Sequence, residues 1–415
     1  MSVSVLAALA ACGGGDDGGG SKGGGGEKSA GPVTIQFSDW QFAEPGRGDA
    51  LKGLIEDFNK SQDEVKVEPV TIPYPSYADT ITTQLGAGSG PDVMNMDHDV
   101  WVLAQKNGLL SDLSDAVKKP EAGFVAADSN NLVDGDRYGV VWETLNYALI
   151  INEHLLKQAG LETPTTYEEF EAAAKTLTTG DQQFGFAYRN TMPEATGWWF
   201  DLSNWVYGHG GTWTDKNGKP TVDSRAVIEA VGKYRDFFAN KYVPQGADAA
   251  TYRRMFWEGH VGMMIDNMAV PSILMGQNPN LHLKVVANPF PKPQSAMILE
   301  QVGVNAASHK KDAAAKFVNW LLEKQTQQKL IESLKGSPVA TKVEAPAALK
   351  ESLPWLDTYA AVSKHGLVIS PTGAEDKTAQ IRQAVLEEVD KVLRQSKDPA
   401  AAMKDAQAAV EDIVG

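Results

Sequence analysis

One cysteine, Cys12, occurs in 415 residues. An intramolecular disulfide and a cysteine-built metal site are therefore excluded. No apolar run approaches the roughly 20 residues needed to span a bilayer. Basic residues are in deficit, with 38 Lys and Arg against 53 Asp and Glu, a formal charge of −15. Nucleic acid and anionic membrane surfaces would be repelled by such a chain. The seven histidines lack the i, i+4 spacing of a helical zinc pair, so neither metal nor cofactor is expected. What is present, 42% hydrophobic and 22% charged residues, fits a water-soluble globular body large enough for two or three domains.

Cys12 closes the apolar stretch Val5–Ala10 after the small residues Ala10 and Ala11. Such a stretch resembles a bacterial lipoprotein signal, so residues 1–12 are expected to carry a lipidated Cys12. It departs from the usual signal in having no Lys or Arg before the cysteine. Residues 13–31 hold eleven glycines and almost nothing apolar. A tract of that composition cannot offset chain entropy by burial and reads as a disordered tether reaching about 25 Å. The folded body is expected to start near Pro32.

From there strands and helices alternate. Residues 33–37, 65–72 and 90–96 predict strands, and 50–60, 77–85 and 100–106 predict helices with one apolar face. That alternation indicates a parallel sheet covered by helices, with ligands at the carboxyl ends of the strands. Trp40, Glu44, Asp97, His98, Asp99 and Trp101 follow such ends. Extended segments at 138–142 and 146–151 flank Glu143. Helices are predicted at 153–159, 167–177, 224–240 and 252–258, and a strand at 261–265 ends at Asp266 and Asn267. After the proline-rich run 288–293 and a strand at 302–304, the chain reads as helix from Lys310 onward.

Thr196–Asp215 stands apart. Trp198, Trp199, Trp205 and Trp213 fall in it, four of the ten tryptophans, followed or interleaved by Gly208, Gly210 and Gly211. So many large rings with indole N–H groups, ending in glycines, read as faces presented at the mouth of a pocket. Trp205 is assigned to the core, while Trp320 and Trp355 sit in helical patterns that suit packing.

Several stretches carry a resemblance. Gly90-Pro91-Asp92-Val93, Gly108–Leu113, Tyr138–Val140 with Asn152 and Ala159–Phe170, Met255–Ile265 and Val302–Ser308 occur in the order found in extracellular solute-binding proteins of ABC importers. The chain is similar to their carbohydrate-binding branch, which includes the maltodextrin binders, over the whole folded body. The resemblance implies an α/β, two-lobed periplasmic-binding-protein fold, with a ligand cleft between discontinuous lobes joined by hinge crossings. The first lobe would take 32–141 and 289–327, the second 142–288 and 328–415, with 288–293 as a hinge crossing.

The implied role is capture of a mono- or oligosaccharide by lobe closure and delivery to membrane permease subunits. The implied protein is a monomer without enzymatic activity, held at the membrane by its lipid alone. Carried over by position, the sugar-binding carboxylates are Glu44, Asp99 and Glu143, with Trp40 beside the first. Asp97, Asp266 and Asn267 follow strand ends on the same face. The family's stacking tryptophans fall at Met96, Met268 and near Thr378 here, so the aromatic platform is expected at Trp198, Trp199 and Trp257. Two other readings use the same residue types: a binder of polyamines or other cations, and a secreted glycoside hydrolase with paired carboxylates.

Overall fold

A computed structural model describes residues 31–44 and 46–415. The expected signal, Cys12 and nearly all of the glycine tract lie outside them. The first strands are β1 (Val33–Ser38), β2 (Val65–Val70), β3 (Val93–Asp97) and a small hairpin of β4 (Leu132–Val133) and β5 (Asp136–Arg137). Next come β6 (Val140–Asn152), β7 (Phe184–Ala187), β8 (Val261–Asn267), β9 (Leu283–Val286), β10 (Ser295–Val304) and β11 (Gly366–Val368). Apart from the hairpin they form one path, β2-β1-β3-β10-β6-β8-β7, with β11 beside β10 and β9 beside β6.

The path divides into two lobes because β6 changes partners halfway along. Val140–Asn146 pair with β10, whereas Tyr147–Asn152 pair with β8 and β9. All thirteen residues of β6 are buried. Its second half alternates across the sheet as period-two geometry requires. Leu149 and Ile151 enter the core that holds Phe170, Trp205, Tyr234 and Val385, while Ala148 and Ile150 enter the one that holds Tyr252, Phe256 and Tyr359. The first lobe has its own core around Ile35, Phe37, Phe58, Val302 and Phe317. Trp40, Tyr77, Met94, Met96 and Trp101 pack on the other face of its sheet.

Several helices start and stop where local chemistry demands. Thr166 caps Tyr167–Leu177 through its side chain on the Glu169 N–H, and Glu169 returns a bond to the Thr166 N–H at 3.2 Å. This reciprocal box satisfies two donors that a helix start leaves unpaired. Asp248 and Asp398 cap Ala249–Trp257 and Pro399–Val414 in the simpler way, by accepting a backbone N–H.

Three expectations are corrected. The segments predicted on either side of Glu143 are one continuous strand, because buried partners absorb that polar break. Residues 328–340 do not join the second lobe: Leu330, Ile331, Leu334, Val339 and Ala340 pack in the first core. The helix Lys324–Ser333 follows Lys311–Leu321 after two residues and stays on the same lobe. The proline run at 288–293 is not the crossing, which β10 makes. Phe290 instead fills the second core, and the Lys292 N–H donates to the Gly208 carbonyl at 2.9 Å.

The tryptophan stretch differs most. Ala195–Gly208 is a regular helix whose Trp198, Trp199 and Trp205 are no more than 1% exposed. Trp205 lies among Phe170, Phe186, Tyr234, Phe237 and Phe290, and Trp199 stacks on Trp213 with centroids 4.2 Å apart. The glycines end this helix rather than open a pocket. Gly210 takes φ 83°, and the Gly211 N–H returns to the Val206 carbonyl at 2.9 Å, the left-handed stop that glycine favours. A Cβ at Gly208 would stand 2.3 Å from the Phe290 ring, so glycine there admits that ring.

Candidate functional site

A cavity of about 350 Å³ opens between the lobes, within the range of small-molecule sites. Its first-lobe wall includes Tyr74, Tyr77, Asp97 and Asp99, and its second-lobe wall includes Trp199, Phe200, Ser370 and Arg382. Met297, Ile298 and Leu299 of the crossing strand β10 line it as well. A second cavity of about 360 Å³ shares His98, Met297, Val368 and Ser370 with it and continues past Tyr207, Trp213 and Thr214. The strand β11, which none of the sequence patterns signalled, contributes Val368 to both.

Tyr74 opens the helix Tyr74–Gly86 after Pro73, and the residue is 51% exposed. The ring leans on Trp40, with centroids 5.3 Å apart, and Trp40 in turn meets Tyr77 edge-on at 4.8 Å. A half-open aromatic face is thus backed by two buried rings. The Tyr74 hydroxyl donates to Asp97 Oδ2 at 3.2 Å, and the charge on Asp97 raises the phenol above its ordinary value. Burial, and then Asp99, lifts the Asp97 carboxyl to about 7. Facing them, Arg382 projects from the helix Thr378–Arg394. Burial lowers its guanidinium, and the charges of Asp99 and Tyr74 act in the opposite sense. At the rim Lys106 Nζ of the first lobe lies 2.6 Å from Asp376 Oδ1 of the second.

Of the residues expected from sequence, Asp97, Asp99 and Trp199 line the cavity. Trp199 does so from the core side, and its indole N–H has no partner among the described residues. The structure uses the others elsewhere. Trp40 is a support beneath Tyr74. Trp198 is buried in the second core, and Trp257 packs at that lobe's other core. Glu44 pairs with Arg47 at 3.4 Å. Glu143 is fully buried, 2.9 Å from Arg47 Nη2 and 2.5 Å from Gln41 Nε2. Asp266 is bound by Arg253 at 2.8 and 2.9 Å and by the Tyr252 hydroxyl at 2.9 Å. Asn267 closes a turn by accepting the Ala269 N–H at 3.1 Å.

Tyr74 and Arg382 are the residues the sequence reading missed. Tyr74 had a local signal, since Pro73-Tyr74-Pro75-Ser76-Tyr77 places two rings at a helix start beside the strand ends. Arg382 had none: an arginine on an amphipathic helix is ordinarily solvated, and only the approach of the other lobe encloses it in a cavity wall. Among the described residues no group of three or more His, Cys, Asp or Glu could hold a metal ion. None of the described helices is long and apolar enough to cross a membrane.

Similar proteins agree with this architecture. A putative binding protein of Brucella abortus is 23% identical over 279 residues, covering 65% of this chain and 67% of the relative. A maltotriose-binding protein of Pyrococcus abyssi is 23% identical over 310 residues, 71% of this chain and 63% of its own length. The solved structure of a cyclic α-maltosyl-1,6-maltose binding protein from Arthrobacter globiformis superposes with a TM-score of 0.79. It shares 20% identity and is covered to 99%, against 92% of this chain. The sequence profile of the bacterial extracellular solute-binding proteins matches residues 43–328. The chain, two-lobed and with its cavity between the lobes, belongs to the bacterial extracellular solute-binding protein family.

Proposed function

We propose that this protein captures a sugar between its lobes and hands it to the membrane permease of an ABC importer. The observation that carries the reading is the convergence of Tyr74, Asp97, Asp99 and Arg382 on one interlobe cavity. A sugar hydroxyl both donates and accepts, and its ring carries apolar C–H faces. Carboxylates accept from such hydroxyls, a guanidinium donates to them, and an aromatic face covers the ring. Relatives that bind maltotriose and a cyclic maltosyl-maltose are consistent with this ligand class. A polyamine fits less well, because Arg382 would repel it.

Closing the lobes brings Asp99 and Arg382, from opposite walls, onto one ligand, and excludes water from their hydrogen bonds. The protein acts as a carrier without turning its ligand over, and a lipid on Cys12 holds it at the outer face of the membrane. Calorimetry against neutral mono- and oligosaccharides and spermidine tests the ligand class. One-to-one binding of a sugar without release of reducing ends is expected. Binding of spermidine alone would overturn the ligand class, and reducing-end release would overturn the carrier role. Mass spectrometry of membrane-extracted protein is expected to find a diacylglyceryl adduct on Cys12.

A further inference from the structure

Strand pairing sets three carboxyl groups in one row on the crossing strands. Glu300 of β10 lies opposite Asp97 of β3 on one side and opposite Glu143 of β6 on the other, beside a bulge at Glu300/Gln301. Directly opposed residues of neighbouring antiparallel strands project to the same face, and like charges in that position repel. The row ends in the ligand cavity, at Asp97.

The groups around the row do not neutralise it. Arg47, before the helix Gly48–Ser61, pairs with Glu143 at 2.9 Å and Glu44 at 3.4 Å. Among the described residues Glu300 has no cation at ion-pair distance. Its Oε2 accepts from Gln41 Nε2 at 2.8 Å and Asn95 Nδ2 at 3.0 Å. The same Gln41 nitrogen reaches Glu143 Oε1, so one amide stands between two carboxyls. Asp39, after β1, adds a fourth acid, with Oδ1 bonded to the Gln41 N–H and Oδ2 buried without a partner. Asp99 approaches from the helix His98–Lys106, whose His98 is engaged by Gln301 at 2.6 Å. Tyr74 and Tyr77 face the row from the helix Tyr74–Gly86, and Arg382 faces Asp99 from the second lobe. Burial, followed by Glu143 and Asp97, holds Glu300 well above the usual carboxylate range.

We propose that Asp97 and Glu300, opposed on β3 and β10 beside the Arg47-paired Glu143, hold protons as a coupled pair, and that ligand capture at Asp97 expels one of them to solvent. This deepens, and rests on, the sugar-binding reading. A ligand hydroxyl donating to Asp97 favours its ionised form, because the charge-assisted bond is the stronger one. The acid O–H bond breaks as the proton passes to a buffer base, which becomes its conjugate acid, and the carboxylate keeps the electron pair. Affinity therefore rises with pH across the titration of Asp97, by about tenfold from pH 6 to pH 8 for one proton.

Two measurements on the full chain decide it. Carboxyl carbon NMR of the ligand-free protein is expected to show a side chain titrating near neutrality, absent in Asp97→Asn and moved to lower pH in Glu300→Gln. If every carboxyl titrates in the ordinary range, the row holds no such proton and the proposal fails, whatever the protein binds. Calorimetry with maltotriose in phosphate and in Tris at pH 7, where about half of the Asp97 carboxyls are protonated, is expected to give heats that differ by about half the difference between the two buffers' ionisation heats, with no difference in Asp97→Asn. Equal wild-type heats overturn the proposal and leave the sugar reading standing. If no sugar binds while the near-neutral titration that Asp97→Asn removes is present, the sugar reading fails and the proton-holding row survives. Asp97→Asn keeps the test open should Glu300→Gln not fold.

Discussion

Replacing Tyr74 by alanine probes the cleft most selectively. Tyr74 is 51% exposed, so about half of the residue's surface is open for a ligand to cover. Burying a large apolar side chain fully is worth about 1.5–3 kcal/mol, so covering the open half contributes about 0.75–1.5 kcal/mol. Every 1.4 kcal/mol is tenfold in affinity, so Tyr74→Ala is expected to weaken binding about four- to twelvefold. Its effect on folding is small, because the lost ring is half-exposed and lies at a helix start. Tyr74→Phe keeps the ring on Trp40 and loses the hydroxyl given to Asp97, and should retain most of the affinity at pH 8. The assay is isothermal calorimetry with the tightest oligosaccharide of a screen. Trp257→Ala serves as a control that lowers stability and leaves the dissociation constant unchanged. A Tyr74→Ala protein that is folded and binds within twofold of wild type would refute the assignment of the platform to Tyr74.

Three further outcomes follow from the same geometry. Asp266→Ala leaves Arg253 without its buried partner; breaking such a pair costs about 3–5 kcal/mol, and the lower end is expected because Arg253 is 20% exposed, read as a fall in denaturation midpoint. Lys106→Glu places like charges across the rim from Asp376, so small-angle scattering should show a more open ligand-free form and binding should weaken by about two- to fivefold, less at high salt. The Asp39 carboxyl is lifted by burial from 3.8 to about 8, so it stays protonated in the folded chain while the unfolded chain ionises. Its contribution is fully present below about pH 4 and is lost as pH rises towards 8, at up to about 1.4 kcal/mol per pH unit. Asp39→Asn should flatten that decline in chemical denaturation, and an unchanged slope would argue against it.

Elements with one dry and one wet face were legible in the sequence. The helix predicted at 167–177 is Tyr167–Leu177, and that at 224–240 is Arg225–Ala239, because a 3.6-residue stripe and a side-chain cap mark each. The helix Ala195–Gly208 was hidden because ten of its fourteen residues are buried, so it carries almost no amphipathic signal. The strand β10 was half hidden: Glu300 and Gln301 interrupt its apolar run, and their partners come from β3, β6 and the Gln41 turn. Strand-end position does place Asp97 and Asp99 on the wall of the interlobe cavity. It misled for Asp266, where Arg253, thirteen residues earlier, takes the carboxylate. Tryptophan density misled for a physical reason: large rings are as useful in a core as on a ligand, and here Trp198 and Trp205 fill one. What the sequence could not reveal was what the approach of the two lobes creates, the pairing of Tyr74 and Asp99 on one wall with Arg382 on the other.

The central claim is that a sugar is held between these walls. Calorimetric titration of maltotriose and other neutral oligosaccharides into wild-type protein and Asp99→Ala tests it most directly. Saturable one-to-one binding by wild type, weakened at least tenfold in the folded variant, is the expected result. Equal binding by both proteins, or heat from none of the sugars, would contradict it.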